Sequence, residues 1–215
     1  TLFRSLSAAL HAAREGIPTM VLEAAEIGWG ASGRNNGLAI PALTRADPDV
    51  LVAAFGADKG ESVVSILRDS AQFLFDLVRT HDIRCEARQT GWLQPAHRAS
   101  RMALARARHA QWQRRGAPVD LLDRDQVEAL TGTRFWHGGW INRSGGHINP
   151  LGFARGLGRA AIDAGAQVCT RSPVTALARD GDGWRATTPQ GTVRARAVVL
   201  AELDEVQTVV IALRN

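Results

Sequence analysis

The first apolar pattern of the chain is helical and ends in a short buried run. Leu6, Ala9, Leu10 and Ala13 recur at helical spacing. This spacing predicts a helix over residues 1–16, which Gly16 would end. Residues 18–23 follow without polar alternation, so they predict a strand buried on both faces. That strand ends in an acid, Glu23.

Further helices and strands follow along the rest of the chain. Helical periodicity predicts helices over residues 60–81, 99–115, 123–130 and 150–164. Alternating or buried apolar runs predict strands over residues 89–94, 119–122, 135–142, 167–170, 173–179, 184–188 and 193–201. For residues 206–213, the pattern fits a strand or a short helix equally well, and both alternatives stay open.

Two helix starts carry recognisable capping residues. Asp123 followed three residues later by Gln126 predicts a capping box. Asn149 is a typical N-cap, and Pro150 suits the first helical position, where a missing N–H does no harm. Trp136, His137 and Trp140 lie along the strand predicted at residues 135–142, where they could line a substrate pocket or serve as packing.

A loop rich in glycine and small polar residues follows Glu23. Helix, glycine, buried strand and terminal acid form the back half of a dinucleotide-binding βαβ unit. The carboxylate of Glu23 could accept the hydroxyl groups of an adenosine ribose. The glycines of residues 28–37 would let backbone N–H groups approach a pyrophosphate.

Composition and charge narrow the class of protein. The chain has 215 residues, 45% of them hydrophobic, and a net charge of +5. The charge is almost all arginine, with one cluster over residues 98–115, and no nucleic-acid motif accompanies it. A basic nucleic-acid-binding module is therefore the weakest hypothesis, and we expect no nucleic-acid partner.

Several other features bear on compartment and cofactors. No apolar run is long enough to cross a membrane, and the first residues lack signal-peptide features. Cys85 and Cys169 are isolated, which favours reduced thiols and a cytoplasmic protein. The histidines show no ligand spacing, so no metal site is expected.

Four short motifs together resemble a known family. A-L-H-A-A-R-E-G and V-L-E precede I-G-W-G-A-S-G-R-N-N-G, and G-G-H-I-N-P precedes the helix at Pro150. In order and spacing they resemble the FAD-dependent oxidoreductases of the D-amino-acid oxidase and glycine oxidase family, most of all the branch that includes gamma-glutamylputrescine oxidoreductase. The resemblance covers roughly residues 6–201.

The resemblance implies an α/β fold, in which a Rossmann-like FAD/NAD(P)-binding layer carries an inserted mixed-sheet substrate domain. Residues 1–83 and 147–215 would form the FAD-binding domain, and residues 84–146 would form part of the substrate domain. Family members oxidise the C–N bond of an amine or amino acid and pass a hydride to FAD. We therefore expect FAD as cofactor and a small amine or amino acid as substrate, with the catalytic residues unknown.

The resemblance also implies a set of cofactor contacts. Glu23 would hold the ribose, Val174 would meet the adenine through its backbone, and Ala201 would lie near the pyrophosphate. The pyrophosphate and flavin would be lined by Ala31, Ser32, Arg34, Asn35, Asn36, Gly37 and Leu38.

The chain departs from the family pattern at its phosphate fingerprint and after Ala201. The last two glycines of G-x-G-x-x-G fall on Leu2 and Ser5, and the first would precede Thr1. The chain therefore looks truncated at both ends, and completing the first layer would need a strand that it does not carry. A catalytically silent fragment of such a flavoprotein is the alternative hypothesis.

Overall fold

A computed structural model describes residues 2–201 and 208–213, and within it the chain forms two compact units. Unit 1 comprises Thr1–Gly37, Val78–Glu86 and Asn149–Asn215; unit 2 comprises Leu38–Leu77 and Ala87–Ile148.

The elements are numbered in chain order. The helices are α1 (Leu2–Arg14), α2 (Pro48–Phe55), α3 (Ala57–Thr80), α4 (Met102–Gln113), α5 (Arg124–Thr131) and α6 (Pro150–Asp163). The strands are β1 (Thr19–Glu23), β2 (Leu38–Ala39), β3 (Trp92–Pro95), β4 (Val119–Leu122), β5 (Gly139–Asn142), β6 (Gly146–His147), β7 (Gln167–Cys169), β8 (Ala176–Asp180), β9 (Gly183–Thr188), β10 (Gly191–Leu200) and β11 (Thr208–Leu213). Short 3₁₀ turns occupy Ala31–Gly33 and Ala99–Arg101.

Unit 1 is built on a six-stranded sheet in the order β7-β1-β11-β10-β9-β8. Strand β7 runs parallel to β1, whereas β11 runs antiparallel to both β1 and β10. It follows that β1 and β10 point the same way. Helices α1 and α6 pack on each other, with Phe3 and Phe153 in edge-to-face contact at 5.2 Å.

Strand β11 corrects one expectation and resolves another. We expected that the first layer would need a strand that the chain does not carry, but β11 fills the place between β1 and β10. Its register sets Thr208 opposite Glu23 and Val210 opposite both Val21 and Val199. The open choice at residues 206–213 is settled as a strand over residues 208–213, while residues 206–207 lie outside the described residues.

Unit 2 contains an antiparallel three-stranded sheet, β3-β5-β4, and a small β2-β6 ladder. The register pairs Trp92 with Asn142 and Gln94 with Trp140. Because side chains alternate along a strand, these four residues share one face of the sheet. Trp92 and Trp140 belong there to a core that also takes in residues of α2, α3 and α4. On the opposite face, Ile141 packs with Leu122 and with Val127 of α5.

The first predicted domain boundary differs from the observed division. Residues 38–77 were expected in the first domain, yet they belong to unit 2. The reason is packing, since Leu51 of α2 and Val64 of α3 are buried in the core that contains Trp92. The sequence does not predict this contact, because the apolar stripe of a helix shows which of its faces is buried but not which surface buries that face.

The observed helix caps and strands lie close to the predicted ones, with a few shifts at the ends of the elements. Asp123 Oδ1 accepts from Gln126 N at 2.8 Å, and the Gln126 side chain accepts from Asp123 N at 2.9 Å, which confirms the capping box. Asn149 likewise accepts from Gly152 N at 3.0 Å. The strand predicted at residues 135–142 begins only at Gly139, because Gly138 has a φ of +123° that interrupts it. Helix α2 was not predicted.

Candidate functional site

Glu23 closes β1 with a buried carboxylate. The residue is only 3% exposed. Its Oε1 accepts a hydrogen bond from the backbone N–H of Ala25 at 3.0 Å. Buried acids are uncommon unless they are partnered, so this position at the carboxyl end of a parallel pair of strands is a specific arrangement. In dinucleotide folds, ligands bind at that edge of the sheet.

Val174 lies beside the end of β1. Ser172 N donates to the Glu23 carbonyl oxygen at 2.9 Å, which holds the turn after β7 against β1. The Val174 side chain is buried in a cluster with Leu22 and Ala186. Within the part of the chain that the structure describes, its backbone N–H and C=O form no hydrogen bond. A backbone donor and acceptor side by side match the edge of an adenine ring.

The loop after Glu23 is folded tightly on itself. Gly28 has a φ of +81°, which favours glycine. A Cβ atom at Gly33 would lie 1.9 Å from the carbonyl oxygen of Gly28, so only glycine fits there. The Asn35 side chain stabilises the turn between Ser32 and Gly37. Its Nδ2 donates to Ser32 O at 2.9 Å, and its Oδ1 accepts from Gly37 N at 2.8 Å.

Two predicted contacts meet at the amino end of α1. Ser32, which is buried, accepts a hydrogen bond at Oγ from Phe3 N at 3.4 Å. Arg4 donates from its guanidinium to the carbonyl oxygen of Ala201 at 3.5 Å. The first N–H groups of a helix have no partner inside the helix and attract anions. Ser32 and Ala201 therefore lie at the amino end of α1.

The other predicted contacts are more exposed or lie in unit 2. Ala31, Arg34 and Asn36 are exposed, and the Arg34 guanidinium stacks on the Trp29 ring at 4.4 Å. Leu38 belongs to β2 of unit 2, where it pairs with His147. The structure thus brings Glu23 and Val174 together and places Ser32 and Ala201 at α1, all within unit 1.

Taken together, these groups fit the adenosine and pyrophosphate parts of FAD. The buried carboxylate of Glu23, the unpaired backbone of Val174 and the amino end of α1 supply the donors and acceptors that those parts require. The sequence did not predict a role for Ser172, whose backbone hydrogen bond to Glu23 holds Val174 nearby. The only sign of it in the sequence is the end of a strand before Pro173. Among the residues that the structure describes, no group of histidine, cysteine and acidic side chains could hold a metal ion.

The aromatic residues singled out in unit 2 separate into two roles. Trp136 packs against Phe135 at 4.9 Å, and His137 contacts Arg124 through Nδ1 at 2.8 Å. Trp140 is buried in the core, and its indole N–H donates to Gln94 Oε1 at 3.1 Å. It also lines a cavity of about 400 Å³. Packing of Trp140 is thus confirmed, whereas its place in a substrate pocket stays a prediction.

Three of the six arginines in the cluster over residues 98–115 form ion pairs. Arg114 and Arg115 bind the carboxylate of Asp49, and Arg115 also binds Glu61 at 2.7 Å. The hydrogen bond from Arg114 lowers the pKa of Asp49, and that from Arg115 lowers the pKa of Glu61. Arg108 pairs with Asp47 at 2.8 Å. Positive charge used within the fold is not available to phosphates, which weakens the nucleic-acid hypothesis.

Comparisons with known proteins agree with this geometry. The family model described as FAD dependent oxidoreductase matches residues 5–202. Gamma-glutamylputrescine oxidoreductase of Escherichia coli (strain K12) is 31% identical over 200 residues, covering 93% of this chain and 46% of that protein. The probable oxidoreductase OrdL of Haemophilus influenzae is 27% identical over 203 residues, with the same coverage. The chain spans about half the length of the curated relatives it matches.

Solved structures show the same fold. Glycine oxidase from Geobacillus kaustophilus superposes with a TM-score of 0.73 at 18% identity, covering 89% of this chain and 50% of that one. L-Amino acid deaminase from Proteus myxofaciens gives a TM-score of 0.73 at 15% identity, covering 88% and 41%. No helix among the described residues is long and apolar enough to span a membrane. The family match over residues 5–202 establishes that the chain belongs to the FAD dependent oxidoreductase family.

Proposed function

We propose that unit 1 binds the adenosine and pyrophosphate parts of FAD, in an oxidoreductase that acts on an amine or amino acid. The observation that carries the proposal is the pairing of a buried Glu23 carboxylate with the unbonded backbone of Val174. Glu23 would accept the ribose hydroxyls, and Val174 would offer one donor and one acceptor to the adenine. Both groups are positioned before any ligand arrives, so little ordering would be needed on binding.

The pyrophosphate would lie over the amino end of α1. Ser32 Oγ already contacts Phe3 N there, and the Ala201 carbonyl is close to Arg4. A bound phosphate could replace the 3.4 Å contact from Ser32 with a shorter, charge-assisted bond from Phe3 N. The Arg4 side chain adds positive charge at the same place.

When bound, FAD would accept a hydride from the carbon of the C–N bond that is oxidised, while the chain supplies position and electrostatics. The substrate class follows from family membership and from relatives named as oxidoreductase or oxidase of amines and amino acids. A polyamine conjugate, an N-methyl amino acid and a simple amino acid all remain compatible. We propose a cytoplasmic location, because free cysteines such as Cys85 and Cys169 are typical of reducing compartments.

A second candidate is a chain that folds like its relatives but does not catalyse. Leu2 and Ser5 stand where the family pattern has glycines, and a side chain at the second position would hinder close approach of a pyrophosphate. Such a chain would retain the adenosine contacts of Glu23 and Val174 without holding the flavin productively.

Titration of the purified chain with FAD and with ADP separates these possibilities. We expect saturable quenching of flavin fluorescence, competition by ADP, and a bound spectrum with a band near ~450 nm. Binding of both ligands without oxidation of any amine or amino acid would favour the silent chain. Failure of both FAD and ADP to bind would overturn the cofactor proposal itself.

A further inference from the structure

Strand β11 runs against its neighbours in the sheet of unit 1. Strand β7 is parallel to β1, and β10 points the same way as β1, because β11 is antiparallel to both. Among these four described strands, β11 alone has the opposite direction, although it lies between β1 and β10. Inner strands that all point one way are typical of sheets built from strand–helix–strand units. The place of β11 is therefore flanked on both sides by strands suited to a parallel neighbour.

Helix α1 covers this place. It packs against β1 and β11, and the chain passes from its carboxyl end into β1. A helix that packs on a sheet and leads into such a strand usually connects it to a parallel strand beside it. The other neighbour of β1 is β7, which follows α6 instead. Connectivity therefore assigns the place under α1 to a strand that runs parallel to β1.

The direction of such a strand fixes where it would end. Strand β10 ends at Leu200, and the guanidinium of Arg4 donates to the carbonyl oxygen of the next residue, Ala201, at 3.5 Å. The amino end of α1 thus lies at the edge of the sheet where β10 ends. A strand parallel to β10 would have its carboxyl end at the same edge, close to the first turn of α1.

Strand β11 fits this place only in part. It reads T-V-V-I-A-L and pairs with all five residues of β1. Its register with β10 shifts between Ala195 and Ala197, where the pairing is irregular. At the other end of β10, Val199 and Leu200 remain 50% and 63% exposed, although β11 pairs with both. Because an irregular register disrupts the ladder locally, β11 is an incomplete partner for β10.

The backbone of the flanking strands does not select one direction. Parallel and antiparallel ladders both satisfy the N–H and C=O groups of a strand. Loss of β11 without replacement would leave two strand edges unpaired, and unpaired edges are templates for another chain. Exchange of β11 for a different strand would keep both ladders.

We propose that β11 is an exchangeable strand and that its place binds, in trans, an extended apolar peptide that runs parallel to β1 and β10. Four of the five residues of β1 are buried, so a strand beside it is covered on both faces and must be apolar. Valine and isoleucine suit such a strand. Recognition would be strand addition, in which main-chain hydrogen bonds supply the affinity.

Hydrogen exchange of the full chain with a synthetic peptide tests the proposal. The probe is acetyl-K-K-V-V-I-V-V-G-amide, and the control is K-K-V-V-P-V-V-G, whose proline removes a ladder donor. With saturating probe, residues 208–213 should exchange faster, while Val21 and Val198 keep their protection. The control peptide should change neither. Unchanged exchange over residues 208–213 at saturating probe would overturn the proposal.

Weakening β11 should make its place easier to fill. A strand in cis competes with the peptide at high effective concentration, so Val210→Pro should bind the probe about tenfold more tightly than the wild type. Probe should also restore slow exchange at Val21 and Val198 in this variant. Val210→Ala, which keeps the N–H, is the matched control and should bind the probe more weakly than Val210→Pro. Equal affinities in the two variants would contradict exchange at β11.

Photo-cross-linking determines the direction of the bound peptide. A benzoylphenylalanine in place of the terminal glycine should cross-link to Glu23, Ala24 or the first turn of α1. The same group at the amino end of the peptide should cross-link near Thr19. The reverse pattern would show a peptide bound in the direction of β11 and would overturn the parallel assignment.

A second copy of the chain is the competing occupant. If β11 of one copy filled the place in another, the wild type would sediment as a dimer that the probe dissociates. We expect a monomer with and without the probe. A dimer that the probe dissociates would assign the place to β11 of a second copy and would overturn the proposal of a peptide partner.

Discussion

The backbone N–H of Ser172 donates to the carbonyl oxygen of Glu23 at 2.9 Å. This single bond holds the turn after β7 against the end of β1 and brings Val174 beside the buried acid. The next bond, from Arg171 N to Ala25 O at 2.9 Å, extends the same contact. Two segments that are far apart in the sequence thereby form one edge, at which a nucleotide could bind.

Replacing Glu23 with alanine should weaken FAD binding by about 1–3 kcal/mol, the scale for loss of a hydrogen bond to a charged group. ADP should lose a similar amount, because the ribose hydroxyls are common to both ligands. Calorimetric titration of the two ligands measures this. Glu15→Ala removes an exposed acid just after α1 and should bind as the wild type does. Unchanged FAD affinity in Glu23→Ala would remove Glu23 from the site.

Gly33→Ala should disrupt the loop that follows β1. The added Cβ would lie 1.9 Å from Gly28 O, which is backbone and cannot rotate away. We expect a loss of about 1–3 kcal/mol in the free energy of unfolding of unit 1, as for other overpacked sites, and weaker FAD binding. Gly30→Ala is the matched control, because nothing lies within 4 Å of its added Cβ. Urea unfolding of the two variants should differ clearly, and equal midpoints would contradict the observed loop.

Val210→Pro should destabilise unit 1 through the sheet. Proline removes a backbone N–H from β11, which lies between β1 and β10 and has a partner on each side. The expected cost is roughly 1–3 kcal/mol, that of leaving a buried carbonyl without its donor.

Hydrogen exchange should then quicken at Val21, which pairs with Val210, and at Val198, which pairs with the neighbouring Ile211, but not in unit 2. Val210→Ala keeps the N–H and serves as the control for the side chain. If proline and alanine gave the same exchange rates, β11 would not be paired as described.

The ion pairs of Arg115 predict a pH-dependent stability in unit 2. Hydrogen bonds from arginine lower the pKa of Asp49 and of Glu61 in the folded state. Their contribution is therefore complete above the ordinary carboxyl pKa of about 4 and is lost as the pH falls through the lowered folded values. Because both carboxylates are about half exposed, the effect should be small and sensitive to salt.

Arg115→Gln tests this relation. Its urea midpoint should lie below that of the wild type at pH 7, and the difference should shrink as the pH falls below about 4, because protonation of the carboxylates removes the partners of Arg115. Arg106→Gln changes an exposed arginine of α4 that has no ion pair within the described residues, and it should have no effect at either pH. A difference that grew on acidification would reverse the assigned sign.

Much of the local structure was predictable from short stretches of sequence. The capping box of Asp123 and Gln126, the Asn149 cap and the buried strand ending in Glu23 depend on neighbours a few residues away, and each was found as predicted. The roles of the predicted cofactor residues remain predictions. Their positions were anticipated in part, since Glu23, Val174, Ser32 and Ala201 lie on the carboxyl edge of the sheet or beside α1.

Long-range pairing settled the remaining features. Residues 208–213 could have been helix or strand, and hydrogen bonds from β1 and β10 on both sides select the strand. Residues 38–77 join unit 2 because Leu51 and Val64 are buried against Trp92, a partner that helical periodicity does not identify. Periodicity and capping report the conformation of a segment, whereas the choice of partner depends on which distant surface buries its apolar face and satisfies its backbone.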